Sequence, residues 1–235
     1  MSSKTLIVGD IHGCYTELLD LLDKAGIGAN DTIISVGDFV DRGTDSRAVL
    51  NYIRDTANVK AIMGNHERKH VHSWHGDVPP AKSQIITRYQ IGEEAYPDAI
   101  TFMKGLPLYL DLPEALIVHG FFEPGLDITA QRSNVIVGTL SGELYLNNKY
   151  RAPWYTLYDG DKPLVVGHRN YMGSRHPLIV PGKVYGLDTG CVYGGALTGL
   201  ILPDFDMVSV PARADHWANV KREYRTLGII GDGDD

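Results

Sequence analysis

The stretch Thr5-Leu-Ile-Val-Gly-Asp-Ile-His-Gly13 is a short apolar run that ends in a polar cluster flanked by glycines. The same arrangement recurs at Gly37-Asp-Phe-Val-Asp-Arg-Gly43 and at Gly64-Asn-His-Glu67, each after another apolar run. Helical patterns separate the three runs, and strands that alternate with helices are typical of a parallel sheet. Because the carboxyl ends of parallel strands open onto one edge, we expect the three polar clusters to lie together there.

The predicted secondary structure differs between the two ends of the chain. In the first third, the predicted strands are Thr5–Val8, Thr32–Val36 and Val59–Met63, and the predicted helices are Tyr15–Ala25 and Ser46–Thr56. In the last third, the predicted strands are Leu164–Val166, Leu178–Val180, Val184–Gly186, Ala196–Ile201 and Met207–Val210. Gly, Pro and Asp separate these later strands, which is typical of antiparallel hairpins. The predicted fold class is therefore α/β, with two facing mixed β-sheets flanked by helices.

We predict one domain over residues 1–235. A length of 235 residues suits a single domain, and the sequence has no fixed-period repeat and no long linker. The segment at about residues 69–97 is the least regular and carries His70, His72, His75 and Pro79-Pro80. Irregular segments beside a site often serve as lids, so we predict a cap or lid here.

Composition limits the partners and the compartment. Hydrophobic residues make up 43% of the chain, and the net charge is −7 with a pI near 5.7. No basic run is present, which disfavours double-stranded nucleic acid as a partner. Two cysteines, Cys14 and Cys191, favour a reducing cytoplasm over a disulfide-bonded exterior. Apolar stretches long enough to cross a bilayer and a signal sequence are both missing from the chain, so we expect no membrane partner.

Carboxylates and imidazoles dominate the polar clusters, beginning with Asp10, His12 and Asp38. One such residue at a strand end is typically a helix cap, but three clusters at one edge favour metal ligands. Two later histidines, His119 and His168, also follow apolar runs. A mixture of oxygen and nitrogen donors suits Mn, Fe or Zn better than Ca or Mg.

Together these motifs strongly resemble the PPP-type branch of the calcineurin-like metallophosphoesterases, from Leu6 to about Val210. The resemblance implies two divalent metal ions, of which Mn is the expected kind and Fe or Zn the alternatives. It implies that Asp38 bridges the two ions. The implied metal ligands are Asp10, His12, Asp38, Asn65, His119 and His168.

The same resemblance implies three further roles. His66 would be the general acid that protonates the leaving oxygen, with Asp41 as its partner, and Arg42 would grip the phosphate. Relatives carry a second phosphate-binding arginine downstream of the His119 motif, where this chain has Val137-Gly138-Thr139. Arg169, Arg151 and Arg132 are the candidates to replace it, and Arg169 adjoins His168.

Three functions remain open from the sequence. The first is hydrolysis of a phosphomonoester, in a phosphoprotein or a small ester, by a metal-activated hydroxide. The second is hydrolysis of diadenosine tetraphosphate or a similar dinucleoside polyphosphate in the symmetrical manner. The glycine-rich stretch Gly186-Leu-Asp-Thr-Gly-Cys191 resembles both these enzymes and phage-type protein phosphatases. The stretch Gly13-Cys-Tyr-Thr-Glu-Leu-Leu19 favours the dinucleotide enzymes, whereas Val40-Asp41-Arg42 and Glu67 favour the phosphatases. The third is a metal-dependent binding scaffold, which would have no use for His66, Asp41 and Arg42.

Overall fold

Two β-sheets form the centre of the structure, a computed structural model that describes residues 3–173 and 175–233. The strands are β1 (Thr5–Val8), β2 (Thr32–Ser35), β3 (Val59–Ala61), β4 (Tyr109–Asp111), β5 (Leu116–Val118), β6 (Leu164–Val166), β7 (Leu178–Val180), β8 (Val184–Gly186), β9 (Asp188–Thr189), β10 (Ala196–Leu202) and β11 (Asp206–Pro211). The strands predicted from the sequence are all present, with ends that differ by at most two residues.

Helices cover both sheets. They are α1 (Tyr15–Ala25), α2 (Ser46–Asp55), α3 (Asn65–His75), α4 (Lys82–Ile91), α5 (Tyr96–Lys104), α6 (Ser133–Ile136), α7 (Leu140–Lys149) and α8 (His216–Thr226), with short 3₁₀ helices at Ile128–Ala130, Trp154–Thr156 and Cys191–Tyr193. Within the described parts of the chain, no helix has the length and apolar character needed to cross a bilayer.

The first sheet has the strand order β11-β10-β1-β2-β3, and β9 pairs with β10. β1, β2 and β3 are parallel neighbours, so Val8 pairs with Ser35 and Ser35 pairs with Ala61 at their carboxyl ends. The three loops that follow these strands therefore start side by side. This is the common edge that the sequence predicts.

The second sheet has the order β4-β5-β6-β8-β7, and it corrects one prediction. The pairs β7–β8 and β10–β11 are antiparallel as expected, but β6 is parallel to both β5 and β8. Parallel neighbours need a crossover, and residues 119–163 supply one with α6 and α7 between β5 and β6. His119 and His168 therefore follow adjacent parallel strands.

The two sheets face each other across an apolar layer. Ile7 of β1, Ile34 of β2, Ile117 of β5 and Val165 of β6 belong to one buried cluster. Alternate residues point outward, so Leu6 and Val8 pack instead with Leu18 and Leu21 of α1. This alternation confirms the predicted pair of facing sheets with helices on their outer faces.

The segment at residues 69–97 contains the remainder of α3, the whole of α4 and the start of α5. The structure thus shows helices where the sequence pattern was weakest. Four of its polar residues, His70, Ser83, Gln84 and Thr87, are buried. The segment packs beside Asp41, and its role as a lid stays a prediction.

Candidate metal centre and active site

Five loops carry the predicted site residues to one place. They follow β1, β2, β3, β5 and β6, and the loops after β1, β2 and β6 contain strained backbone. Among the described residues, seven other than glycine have a positive φ, and five of them belong to this site. They are His12 (45°), Asp38 (50°), Asp41 (74°), Arg42 (69°) and His168 (67°). Left-handed backbone at non-glycine residues is costly, and such strain is typical of functional sites.

Asp38 lies at the centre of the group. One oxygen, Oδ2, is 3.2 Å from His119 Nε2 and 3.8 Å from His12 Nε2. The other oxygen, Oδ1, accepts a hydrogen bond from the backbone N–H of His66 at 2.9 Å. Two clusters of donor atoms share this carboxylate, one with His12 and His66 and one with His119 and His168. The arrangement fits a bridging ligand that uses a single oxygen.

The Asn65 side chain completes the second cluster. Its Oδ1 lies 3.0 Å from His119 Nε2 and 2.8 Å from His168 Nδ1. The opposite nitrogen of His119, Nδ1, is 2.9 Å from the Val36 carbonyl. A carbonyl can only accept, so Nδ1 carries a hydrogen, and Nε2 is the atom that faces the Asn65 oxygen. His12 is oriented in the same way by the Val40 carbonyl, also at 2.9 Å.

These contacts test whether the residues fit metal ions. The Nε2 atom of His119 faces two acceptors, the Asp38 carboxylate and the Asn65 amide oxygen. Acceptors that face one another need a positive centre between them, either a proton or a cation. Carbonyl groups that hold the far nitrogen of a ligand histidine are a regular feature of metal sites. The donor set therefore fits divalent metal ions with mixed oxygen and nitrogen ligands.

The electrostatics of the centre lead to the same conclusion. Burial lowers the pKa of His119, but the nearby Asp38 carboxylate outweighs it and raises that pKa to about 10. Burial and the charge of His119 lower the pKa of His168 to about 3. Burial and the Asp188 carboxylate raise the pKa of Asp10. Carboxylates thus raise the pKa values of both His119 and Asp10, so negative charge is concentrated here, and cations would neutralise it.

Asp10 has a second task at the junction of the two sheets. Each of its carboxylate oxygens lies 3.0 Å from the backbone N–H of His168. Gly167 makes this approach possible, because a Cβ at that position would overlap the Asp10 carboxylate. Asp10 thus holds the loop after β6 against the loop after β1.

Glu67 organises the loop after β2. Its buried carboxylate accepts hydrogen bonds from the backbone N–H groups of Asp38, Phe39, Val40 and Gly64, at 2.8–3.3 Å. Four donors to one carboxylate compensate for the cost of burying it. This side chain fixes the backbone that positions Asp38.

His66 and Asp41 form a close pair beside the metal ligands. His66 Nδ1 lies 2.6 Å from Asp41 Oδ2, and both side chains are buried. Burial raises the pKa of Asp41, but the imidazoles of His70 and His66 outweigh it and hold that pKa well below its usual range. Asp41 is therefore an ionised carboxylate that orients the His66 ring.

A cavity of about 840 Å³ opens beside these residues. Arg42 borders it, donates a hydrogen bond from Nη1 to His12 Nε2 at 3.1 Å and lies over the Tyr193 ring. Arg169 borders it too and is paired with the carboxylate of Glu143. Arg151 borders a separate cavity of about 270 Å³ beside α7, so the structure does not bring it to the site.

Two residues at the site, Asp188 and His70, were not predicted from the sequence to be site residues. Asp188 lines the cavity, and burial raises the pKa of its carboxyl group. Its signal was the position after β8, within the glycine-rich stretch. His70 contacts Asp41 from α3, and its signal was the spacing of four residues from His66, which places both on one helix face.

Comparisons with known proteins place this geometry in a family. Residues 3–173 match the family described as calcineurin-like phosphoesterase. The asymmetrical bis(5′-nucleosyl)-tetraphosphatase PrpE of Halalkalibacterium halodurans is 34% identical, over 88% of this chain and 93% of that protein. The symmetrical bis(5′-nucleosyl)-tetraphosphatase of Edwardsiella ictaluri is 27% identical, over 89% and 96%. The crystal structure of a protein provisionally described as a diadenosine tetraphosphatase matches with a TM-score of 0.72 and 25% sequence identity. The match covers 90% of this chain and 95% of that one.

The chain belongs to the calcineurin-like metallophosphoesterases and is a hydrolase of that family. Members of the family bind two divalent metal ions. The two donor clusters that share Asp38 fit that number. The resemblance stated from the motifs alone is thereby confirmed at the level of the family and the fold.

Proposed function

We propose that this metallophosphoesterase hydrolyses dinucleoside polyphosphates, with diadenosine tetraphosphate as the representative substrate. The observation that supports this most is the cavity, whose volume of about 840 Å³ lies near the upper end for small-molecule sites. A single phosphate group would fill only its metal end. The names of the relatives support the same substrate class over the phosphomonoester that we placed first from the sequence.

The charges around the cavity suit a polyphosphate. Arg42 and Arg169 border it near the metal ligands, and Arg68 and Lys69 border it on α3. Guanidinium groups can bind phosphate oxygens in a bidentate manner, while an ammonium group acts as a point charge. Cations on both sides would hold a chain of phosphates that extends beyond the reacting one.

Apolar and aromatic groups border the outer part of the cavity. Tyr193 is 48% exposed there, next to Arg42, and Leu140 and Val78 are exposed as well. Stacking of a base on an aromatic ring contributes roughly 1–3 kcal/mol. We assign Tyr193 as the base platform for one of the two nucleosides.

The reacting groups follow from the geometry and from the family pattern. Asp10, His12, Asp38, Asn65, His119 and His168 would hold two divalent ions, which we propose to be Mn. Bound there, two such ions polarise phosphoryl oxygens and lower the pKa of a water molecule. His66 Nε2 is directed away from Asp41 and would protonate the leaving oxygen, with Arg42 on the phosphate. The buried thiols of Cys14 and Cys191 support a reducing compartment, the cytoplasm.

A substrate panel tests the proposal. The protein reconstituted with Mn is given diadenosine tetraphosphate, a phosphoserine peptide and p-nitrophenyl phosphate, and kcat/KM is measured for each. We expect the dinucleotide to exceed the peptide by at least tenfold. Chromatography of the products then shows whether two diphosphates or a mono- and a triphosphate are released. A peptide that is hydrolysed faster would restore the phosphoprotein function, and no turnover of any substrate would favour the binding scaffold.

A further inference from the structure

The carboxylate of Asp41 has more partners than a simple pair with His66 requires. The side chain is fully buried. Its Oδ2 accepts from His66 at 2.6 Å and from the Ser83 hydroxyl at 3.3 Å. Its Oδ1 accepts from His70 Nε2 at 2.9 Å and from the Thr87 hydroxyl at 2.8 Å. The four donors lie on both oxygens, so the carboxylate cannot rotate without breaking contacts.

His70 is held in turn by Tyr96. The Tyr96 hydroxyl lies 2.7 Å from His70 Nδ1, and the His70 ring is fully buried. Burial and the charge of Asp41 raise the pKa of Tyr96, so its phenol stays protonated. The hydroxyl can therefore donate a hydrogen bond to His70 Nδ1. A neutral ring that accepts at Nδ1 must carry its hydrogen at Nε2. That hydrogen points at Asp41, and each donor in the chain from Tyr96 to Asp41 is satisfied.

The polar contacts follow one direction. Tyr96 donates to His70, His70 donates to Asp41, and Asp41 accepts from His66 on its other oxygen. His66 and His70 are four residues apart on α3, so both rings reach the same carboxylate from one helix face. Tyr96 comes from α5, and Ser83 and Thr87 come from α4. The segment predicted as a lid, residues 69–97, therefore supplies His70, Ser83 and Thr87, which are three of the four donors to Asp41.

We propose that His70, oriented by Tyr96, is a positioning residue that fixes the Asp41 carboxylate for the acid step of His66. The inference rests on the proposed role of His66 as the acid. Within the described residues, the hydrogen bonds of the His70 ring join it to Tyr96 and Asp41 and not to a metal ligand, so it acts through Asp41. With its Nε2–H on Oδ1, the Asp41 carboxylate presents Oδ2 to His66 in one orientation. Without it, Thr87 alone holds that oxygen, and the His66 ring loses its fixed direction.

The test compares three variants on two monoesters. His70→Leu removes the donor, Tyr96→Phe frees the ring to turn, and His70→Gln keeps an N–H that can reach Asp41. The monoesters are phenyl phosphate, whose leaving group needs a proton, and p-nitrophenyl phosphate, whose leaving group needs little. Loss of an outer hydrogen-bond partner typically lowers activity about 10–100-fold. We expect that loss in kcat for His70→Leu on phenyl phosphate, with a loss of at most a few-fold on p-nitrophenyl phosphate.

Further readouts separate positioning from folding. In His70→Leu, KM and the metal content should stay at the wild-type values. Tyr96→Phe should show a smaller loss of kcat that also depends on the leaving group. His70→Gln should recover most of the kcat that His70→Leu loses. His75→Gln, an exposed position at the end of the same helix, is the matched control. Equal losses on both esters, a raised KM or lost metal would show that His70 only stabilises the fold and would overturn the proposal.

A double variant ties the effect to His66. In the His66→Asn background, His70→Leu should cause no further loss that depends on the leaving group, because the acid is already missing. An additive loss would overturn the inference. The substrate proposal is independent of this result, since both esters lack nucleosides. If His66→Asn alone shows no dependence on the leaving group, the acid role fails, and the proposal for His70 fails with it.

Discussion

The two sides of the cavity are built differently. The inner side consists of the loops after β1, β2 and β3, where Asp38, Asp41 and Glu67 are buried, and where Asp41 and Glu67 each accept several hydrogen bonds. The outer side consists of residues 138–143 and 188–193 together with Arg169, whose side chain is 50% exposed and pairs with Glu143. Asp38, His66 and Asp41, which are proposed for chemistry, lie on the inner side, whereas Arg169 and Tyr193, which are proposed to bind substrate, lie on the outer side.

The difference follows from what burial does to charges. A buried carboxylate needs several donors to stay ionised, and those donors also fix its direction. The exposed pair of Arg169 and Glu143 is weakened by solvent and can exchange partners when a phosphate arrives. Changes on the inner side should therefore reduce turnover, and changes on the outer side should alter KM.

The largest effect is expected at the shared carboxylate. Asp38→Asn should lower kcat by about 10³-fold or more, because a metal site supplies several kcal/mol and each 1.36 kcal/mol is a factor of ten. The metal content, measured by elemental analysis, should fall for both ions. Asp10→Asn should lose less activity and retain one ion. The same loss of a single ion in both variants would contradict the bridging role of Asp38.

The next effect concerns the proposed acid. His66→Asn should retain both metal ions and lose about 10²–10⁴-fold in kcat on a serine phosphate. The loss on p-nitrophenyl phosphate should be much smaller, since its leaving group is a weak base. Asp41→Asn should show the same pattern less severely. Should His66→Asn lose metal instead, the histidine is a ligand, as its place in one donor cluster would allow.

On the outer side, Arg169→Ala should raise KM for diadenosine tetraphosphate by up to about tenfold and leave kcat nearly unchanged. A charged hydrogen bond contributes about 1.5–3 kcal/mol, and exposure to solvent reduces that value. Glu143→Gln should lower KM, because it releases the arginine. Arg151→Ala, at a separate cavity, is the matched control and should resemble the wild type. A large loss of kcat in Arg169→Ala would place this arginine with the inner groups.

The smallest effect on turnover, and a clear one on stability, is expected far from the chemistry. Burial raises the pKa of Glu17, but the 2.7 Å contact with His216 and a hydrogen bond from the backbone N–H of Arg213 together outweigh burial and lower that pKa to about 2. A lowered carboxyl pKa stabilises the fold above about pH 4.5, and this contribution is lost as the pH falls through about 2. Glu17→Gln should therefore reduce the free energy of unfolding at pH 7 by up to about 3 kcal/mol.

Urea unfolding at several pH values measures this difference, which should shrink between pH 4.5 and pH 2. The control is Asp20→Asn, which removes an exposed pair with Arg213 and should change stability by less than about 1 kcal/mol. A difference that stays constant down to pH 2 would assign the effect of Glu17→Gln to packing and not to ionisation.

The sequence by itself determined the family, the sheet of β1, β2 and β3 and most of the site. Short-range patterns carried that information: apolar runs define the strands, and polar residues at their ends define the loops. Topology then brings the loops together without further specification. The placement of Asp38, Asn65 and His66 follows from this reasoning alone.

Only the tertiary structure decided which atoms meet. It showed that β6 is parallel to its neighbours and that Arg151 lies at another cavity. It also showed that one oxygen of Asp38 faces both His119 and His12. It also placed His70 on Asp41, 29 residues away in sequence, with Tyr96 behind it. Such contacts depend on side-chain direction and on the packing of distant helices. The spacing of residues within a helix or a strand shows which residues share a face of that element. It does not show which side chain of another element they contact.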